Sequence, residues 1–292
     1  MITLRIRHKT TYLYRREVSL GPHRLMLRPR ESRDLRLISS ELKTTPAASL
    51  AYSQDVFGNS VTLAAFASRA STLVIDSVTT LELGGEAWPV FAIAASAQTY
   101  PFHYAEDERT DLGALMFQQY PDPMGRLRDW TWAFVGGVQT DTLALLKDLS
   151  VGVSRWIQYQ SREDEGVQSP IATLDRGWGS CRDFAVLFVE AARCLGFGAR
   201  IVSGYLFVGD AGVLGSVDAG STHAWAEVYV PGAGWVTFDP TNRSVGGYNL
   251  IPVAVARDIR QAMPVAGSFN GDSDAFLDMA VEVDVAACGK GL

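Results

Sequence analysis

The residue with the clearest chemical signature is Cys181, which stands in the run Gly-Trp-Gly-Ser-Cys-Arg-Asp-Phe-Ala. Apolar side chains recur at helical spacing over residues 184–195, so the spacing predicts a buried helix that begins at Cys181 and ends before Gly196. At a helix N-terminus, unpaired backbone N–H groups and the positive end of the helix dipole stabilise a thiolate and can bind an oxyanion. Cys181 is therefore the candidate nucleophile, whereas Cys194 on the same helix fits a buried structural thiol.

A thiol nucleophile requires a base, and the chain has four histidines. His8 and His23 lie in strand-like segments, where a surface or packing role is expected, and His103 lies in a loop-like stretch without an evident partner. His223 opens the segment Thr-His-Ala-Trp-Ala-Glu-Val-Tyr-Val-Pro-Gly-Ala-Gly-Trp-Val-Thr-Phe-Asp-Pro-Thr-Asn. The alternation in this segment predicts two strands joined by a Pro-Gly-Ala-Gly loop. His223 is therefore the candidate base.

The same hairpin can bring a carboxylate to this histidine. Residues 223 and 239 are an even number apart, so His223 and Asp239 face each other across an odd-length loop centred on Pro231. This register places His223 and Asp239 on one face, and on the other face an apolar set: Ala224, Ala226, Val228, Val236 and Phe238. An imidazole opposite a carboxylate suits a catalytic triad, in which the carboxylate sets the ring tautomer and stabilises the imidazolium. A structural His–Asp pair is the alternative.

The elements that must position these residues fall into two parts. Residues 1–83 break into short alternating runs separated by turn residues, which predicts a small antiparallel β-sandwich. The runs lie near Leu4–Tyr14, His23–Arg28, Leu35–Leu42, Val61–Phe66 and Leu73–Leu83. Later in the chain an amphipathic helix is predicted after a Thr140/Asp141 cap. Its apolar positions are Leu143, Leu146, Leu149, Val153, Trp156 and Ile157.

Taken together, these segments strongly resemble the bacterial transglutaminase-like superfamily, whose core is papain-like. The resemblance is carried by Gly-Ser-Cys-Arg-Asp-Phe-Ala, by Leu-Gly-Phe-Gly-Ala-Arg-Ile-Val-Ser-Gly-Tyr and by the hairpin that His223 opens. The first part resembles the family's bacterial N-terminal β-domain through Thr-Thr-Tyr-Leu-Tyr, Arg-Leu-Met-Leu-Arg-Pro-Arg and Asp-Val-Phe-Gly-Asn. By this resemblance, Cys181 is the nucleophile, His223 the base and acid, and Asp239 the orienting residue.

The resemblance implies an α+β protein, in which an N-terminal antiparallel β-sandwich is followed by a papain-like transglutaminase core. We expect the β-sandwich in residues 1–88, a connector and helical region in residues 89–150, and the catalytic core with a C-terminal strand in residues 151–292. Tyr159 is the candidate side chain for stabilising the oxyanion, and packing against the nucleophile helix is its alternative role. Three tryptophans could wall an acyl cleft or simply pack around the hairpin: Trp178, Trp225 and Trp235.

Composition limits the other functional classes. The chain is 47% hydrophobic and 20% charged, its apolar runs fall short of a bilayer span, and its start alternates like a strand rather than a signal peptide. We therefore expect a cytoplasmic protein that does not bind a membrane. A net charge of −6 argues against nucleic acid as a partner. The eleven Lys/Arg among residues 1–43 fit the solvated face of a sheet, with a basic docking surface as the alternative. Three cysteines and no acidic ligand loop predict neither metal nor cofactor.

The expected reaction is acyl transfer from a peptide or protein amide through a thioester on Cys181. Hydrolysis is the first hypothesis, because water needs no site of its own. Transfer of a glutamine acyl group to an amine is the second, and a non-catalytic peptide-binding module is the third. The first domain offers no nucleophile, so we expect it to bind or orient a partner rather than to react. The sequence does not indicate an oligomeric state.

Overall fold

The computed structural model describes residues 1–137, 139–161, 166–209 and 222–288. In chain order, the strands of the first part are β1 (Ile2–Leu20), β2 (His23–Leu25), β3 (Leu35–Thr45), β4 (Ala48–Gln54), β5 (Ser60–Phe66) and β6 (Arg69–Leu83). The later strands are β7 (Thr99–Tyr100), β8 (Thr140–Asp141), β9 (Gln158–Tyr159), β10 (Trp178–Gly179), β11 (Ala199–Leu206), β12 (Thr222–Val230), β13 (Gly234–Asp239), β14 (Ser244–Val245), β15 (Leu250–Ala256), β16 (Val265–Ala266), β17 (Phe269–Asn270) and β18 (Phe276–Ala287). The helices are α1 (Glu106–Leu112), α2 (Arg126–Trp132), α3 (Thr142–Trp156), α4 (Pro170–Arg176) and α5 (Cys181–Cys194).

The first part of the chain forms two antiparallel sheets, which confirms the expected β-sandwich. One sheet has the order β17-β1-β6-β3, with β18 also paired to β1, and the other has the order β16-β2-β5-β4. Strand β4 was not among the predicted runs, because its small and polar residues have weak strand propensity. It forms because it pairs with β5 along its whole length.

The C-terminal strand differs from our expectation, which assigned it to the catalytic core. Strand β18 instead pairs with β1 from Leu4↔Ala287 to Tyr14↔Phe276 and so extends the first sheet. The long β1 strand offers a second free edge there, and its alternating side chains match those of β18 in register. Lys9 and Glu282 add an ion pair across this junction.

The second part of the chain is built on a five-stranded antiparallel sheet with the order β14-β13-β12-β11-β15. One face of this sheet and the helices α3 and α5 form one continuous apolar core. Residues of β11 and β15, such as Tyr205 and Ile251, form a second core with Leu4 and Ile6 of the first sandwich. The sheet therefore lies between the helices and the β-sandwich, which agrees with the α+β class that we expected.

Two polar contacts lock the sandwich to this sheet. Asn59, which is fully buried, donates to the carbonyl oxygen of Val255 at 2.7 Å and accepts from the backbone N–H of the same residue at 2.9 Å. The side-chain amide of Asn59 thus makes the two backbone hydrogen bonds that a neighbouring strand would otherwise make with β15. His8 is also buried, with Nδ1 3.0 Å from the hydroxyl of Tyr205, and burial lowers the pKa of His8 to about 4. His23 is buried too, so both histidines have packing roles.

Helix α3 confirms the predicted cap, because the Asp141 side chain accepts a hydrogen bond from the backbone N–H of Ala144 at 2.7 Å. Trp156 was expected on its buried face but is 67% exposed. The helix ends at this residue, and Ile157 turns into an extended conformation that places its own side chain in the core. Among the described helices, none is long and apolar enough to cross a membrane.

Candidate active site

Cys181 is the first residue of α5, as the sequence predicted, and is 7% exposed. The turn before it is held by Asp183, whose Oδ2 accepts from the backbone N–H of Ser180 at 2.8 Å and from its hydroxyl at 2.9 Å. A Cβ on Gly179 would lie 2.9 Å from the Cβ of Asp183, so this close approach requires glycine. The backbone before the thiol is therefore held by the hydrogen bonds of Asp183 to Ser180 and by the close packing of Gly179 against Asp183.

The β12–β13 hairpin carries the histidine and the aspartate. The strands pair as Ala226↔Phe238, Val228↔Val236 and Val230↔Gly234, so the loop has three residues and is centred on Gly232 rather than on Pro231. The loop length is odd, as expected, and the apolar face from Ala224 to Phe238 is buried in the helix-facing core. The shifted centre means that our direct cross-strand pairing of His223 with Asp239 was wrong.

Gly232 occupies the centre of the loop. Its φ of 82° is accessible mainly to glycine. A Cβ at this position would also lie 2.6 Å from the backbone of both Ala92 and Ala94 in the connector. The connector therefore packs closely against the backbone of this turn, and only glycine leaves room for that contact.

The shared face still brings the two polar residues together along a diagonal. The distance between Nε2 of His223 and Oδ2 of Asp239 is 2.8 Å, and both side chains are almost fully buried. Asp239 also accepts from the backbone N–H groups of Thr241 at 3.0 Å and Asn242 at 3.2 Å, and from Nδ2 of Asn242 at 2.8 Å. The carboxylate is therefore held in a single orientation by several donors.

The electrostatics of this pair favour an ionised state. Burial lowers the pKa of His223, but the charge of Asp239 and the hydrogen bond to it outweigh burial and raise this pKa to about 10. Burial raises the pKa of Asp239, but the His223 charge and hydrogen bonds from His223 and Asn242 lower it overall. At neutral pH the pair is thus an imidazolium next to a carboxylate.

The remaining nitrogen of the imidazole is left for the thiol. Nδ1 of His223 is buried and takes no part in the contacts with Asp239 and Asn242, which both involve Nε2. Interaction with the Cys181 thiol contributes to the raised pKa of His223, so the thiol adjoins the ring. The ring also stacks on Trp225, with centroids 5.9 Å apart. The structure therefore brings Cys181, His223 and Asp239 into one site.

The other candidates are placed differently. Tyr159 lies beside Gly179 in the parallel β9–β10 pair, and its ring packs edge-on against Phe184 with centroids 6.0 Å apart. Its packing role is therefore observed, and its oxyanion role stays a prediction. Trp178 is half-buried, with the Arg176 guanidinium 5.7 Å above its ring, on the backbone that leads to Cys181.

The two hairpin tryptophans both have packing contacts, and the role of Trp235 in a cleft stays a prediction. Trp225 is 1% exposed and packs in a core with Val202 and Leu250, behind the imidazole. Trp235 lies four residues before Asp239 on β13, about 13 Å away along the strand. The Arg200 guanidinium covers its ring at 3.9 Å.

Sequence reasoning assigned no role to Asn242 or Asp183. Both lie within segments that we recognised, and both have a local signal. Asn242 is three residues after Asp239, where a backbone turn toward an aspartate oxygen is common, and Asp183 is three residues after the predicted cap of the nucleophile helix. Their partners are positioned by the fold: Asp183 also accepts from the backbone N–H of Gln168 at 2.7 Å. Within the described residues, no cluster of three His, Cys, Asp or Glu side chains could hold a metal ion.

Comparison with known proteins gives two family matches. Residues 4–82 match the bacterial transglutaminase-like N-terminal region, and residues 128–240 match the transglutaminase-like superfamily. An uncharacterized protein of Mycobacterium tuberculosis is 26% identical over 96% of this chain and 91% of its own length. An uncharacterized protein of Mycobacterium leprae is 32% identical, but the match spans 46% of this chain and 48% of that protein.

A solved structure supports the fold over the whole chain. The crystal structure of a proposed cysteine protease from Cytophaga hutchinsonii is similar to all of this chain, covers 92% of its own chain, and gives a TM-score of 0.74. The two sequences are 19% identical, so this likeness concerns the arrangement of the elements. It includes both the β-sandwich and the sheet that carries His223.

Proposed function

Because the chain belongs to the transglutaminase-like superfamily, we propose that it is a thiol-dependent enzyme that hydrolyses a peptide or protein amide through a thioester on Cys181. One observation carries the proposal. His223 donates Nε2–H to Asp239, while its other ring nitrogen, Nδ1, is buried, and the Cys181 thiol at the start of α5 adjoins the ring. This arrangement suits a nucleophile, a proton carrier and an orienting carboxylate.

The roles of the three residues follow from their positions. In the acylation step, Cys181 attacks the amide carbonyl carbon as a thiolate paired with the His223 imidazolium, and backbone N–H groups at the start of α5 stabilise the oxyanion. The C–N bond then breaks, and His223 gives its proton to the leaving amine. In the second step, neutral His223 takes a proton from water as the water oxygen attacks the thioester carbon. The C–S bond then breaks, which releases the acid and restores the Cys181 thiolate beside the His223 imidazolium. Asp239 holds the ring and stabilises its charged form throughout.

The acceptor of the acyl group distinguishes the two enzymatic hypotheses. Water is our proposal, and transfer of a glutamine acyl group to a primary amine is the alternative. The two reactions share the thioester on Cys181 and differ only in the step that consumes it. A non-catalytic peptide-binding module would form no thioester.

A peptide library incubated with and without a primary amine, and analysed by mass spectrometry, tests this proposal. We expect hydrolysed products in both incubations, lost in Cys181→Ala and retained in the matched variant Cys194→Ala. Products that carry the amine would contradict hydrolysis and support transfer of the acyl group to the amine. No turnover of any peptide by the unmodified chain, together with an unreactive Cys181, would contradict both enzymatic hypotheses.

A further inference from the structure

The interior of the first β-sandwich is divided into two apolar clusters. One contains Leu25, Leu73 and Ile75, and the other, shared with the second sheet, contains Leu4 and Leu81. Between them, inward positions carry small hydroxyl side chains. These are Ser40 and Ser77 on one sheet and Ser60 and Thr62 on the other.

The small side chains leave a cavity of about 560 Å³, a volume typical of ligand sites. Its apolar lining is formed by Leu25, Leu27, Leu42 and Val61. Tyr52 lines it as well and pairs directly with Thr62, which pairs with buried Leu25 on the other side. Tyr52 therefore points towards the inside of the sandwich, yet it is 74% exposed. The cavity is thus open to solvent on this side.

Two strand edges border the opening. Strand β3 is the last strand of one sheet and β4 is the last strand of the other, and in the described part of the chain each pairs with a single neighbouring strand. The chain passes from β3 to β4 through residues 46–47, and the strands diverge from that corner with the cavity between them. An edge strand has unpaired backbone N–H and C=O groups that can pair with an extended chain.

A single cation lies at the cavity lining. Arg28 is exposed, and among the described residues its guanidinium has neither an ion pair nor a hydrogen bond. Several other arginines of the sandwich are paired, as Arg7 is with Asp76 and Arg36 with Glu82, and Arg28 stands out within the described chain because it is unpaired and also lines the cavity. An unpaired guanidinium beside an apolar cavity favours a ligand that carries a carboxylate.

We propose that the cleft between β3 and β4 binds an extended peptide segment. An aliphatic side chain of the segment enters the cavity, a carboxylate two residues away pairs with Arg28, and the peptide backbone pairs with a free strand edge. The preference for a peptide over other carboxylates rests in part on the proposed function, since the substrate there is a peptide or protein. The site itself needs no catalysis.

Binding of a labelled synthetic peptide to the full chain tests this cleft. The probe is fluorescein-labelled Thr-Leu-Thr-Glu-Thr-amide, measured by anisotropy against the Cys181→Ala variant so that no turnover occurs. We expect saturable binding that weakens about tenfold or more in Arg28→Glu, and likewise when the glutamate of the peptide is replaced by glutamine. Arg33→Glu is the matched control, because Arg33 is exposed and does not line the cavity.

A second variant, Ser77→Leu, fills the cavity and should also weaken binding, with circular dichroism confirming that it folds. If Ser77→Leu does not fold, the Arg28→Glu comparison decides alone. Absence of saturable binding, or equal affinity in Arg28→Glu and Arg33→Glu, overturns the proposal. Binding of octanoate without binding of the peptide overturns it in favour of a free alkyl carboxylate. Peptide binding without turnover by the unmodified chain would count against the proposed function and leave this cleft supported.

Discussion

Nε2 of His223 lies 2.8 Å from Oδ2 of Asp239, and the contact runs diagonally between two strands of one hairpin. Diagonal neighbours on one face of a sheet are far enough apart that a ring and a carboxylate fill the gap between them. The contact uses Nε2 and leaves the opposite ring nitrogen, Nδ1, available to the Cys181 thiol, which adjoins the ring. The hairpin thus presents a charged imidazole to the thiol.

We predict that Cys181 is the thiol that iodoacetamide labels fastest at neutral pH. Accessibility favours the opposite order, because Cys288 is exposed, Cys194 is half-buried and Cys181 is buried. Burial also raises the pKa of Cys194 and so lowers its reactivity. Peptide mapping after brief treatment measures the order, and His223→Ala should slow labelling at Cys181 alone. Faster labelling of Cys288 in the unmodified chain would contradict the nucleophile assignment.

Replacing Asp239 by asparagine should lower the pKa of His223, because the charge that outweighs burial is removed. The folded-state pKa of about 10 lies above the ordinary 6.5, so the stabilisation from the pair is complete below pH 6.5 and is lost as pH rises towards 10. The lowered pKa of Asp239 means that its contribution is instead lost on acidification below its ordinary value of 3.8. An NMR titration of His223 in both proteins measures the shift.

Asp239→Asn should also reduce turnover, though less than Cys181→Ala or His223→Ala, since asparagine can still hold the ring by a hydrogen bond. We expect turnover to fall by several orders of magnitude in Cys181→Ala and in His223→Ala, with the fold retained. Circular dichroism provides the control. Unfolding in all three variants would show that these residues are structural.

Asn242 should act as a positioning residue for the carboxylate. Asn242→Ala removes a 2.8 Å hydrogen bond to Asp239, a charge-assisted contact worth about 1.5–3 kcal/mol. We expect slower labelling of Cys181 by about tenfold, together with a lower melting temperature because the charge-assisted bond is lost. The matched control is Asn249→Ala, which removes a bond to the Phe207 carbonyl oxygen on the same sheet. Equal changes in the Cys181 labelling rate for the two variants would show that Asn242 does not position the carboxylate.

The nucleophile helix contains a buried ion pair that should be structural. Glu190 and Arg193 are each 1% exposed and 2.7 Å apart, and Glu190 also accepts from the backbone N–H groups of Gln119 and Tyr120. Glu190→Ala leaves a buried guanidinium unpaired, so we expect a loss of about 3–5 kcal/mol in unfolding free energy. Glu282→Ala, which breaks an exposed pair with Lys9, should cost at most about 1 kcal/mol. Urea denaturation of both variants compares them.

Asn59 should couple the stability of the sandwich to that of the catalytic sheet. Asn59→Ala leaves the Val255 N–H and C=O without their partner, at about 1–3 kcal/mol for each buried group. Hydrogen exchange at β15 should increase more than at β12. This substitution is a sharper test than removing residues 1–94, because that deletion would also expose Tyr205 and Ile251 and leave β18 unpaired. Unchanged exchange at β15 would contradict the coupling.

The sequence by itself determined the features that depend on local periodicity. It indicated the helix that begins at Cys181, the cap at Asp141, the odd hairpin loop and the buried face from Ala224 to Phe238. These follow from side-chain spacing and from the chemistry of caps and glycines, which a short segment already contains.

The tertiary structure decided the contacts that depend on distant segments. The connector at Ala92 and Ala94 packs against the turn at Gly232, and the register of this hairpin makes the contact of His223 with Asp239 diagonal. Strand β18 pairs with the free edge of β1, although the two strands lie far apart in the chain. A strand carries its alternation in its own residues, but its register and partner depend on which edges and cavities the rest of the chain leaves open, and no local pattern contains that information.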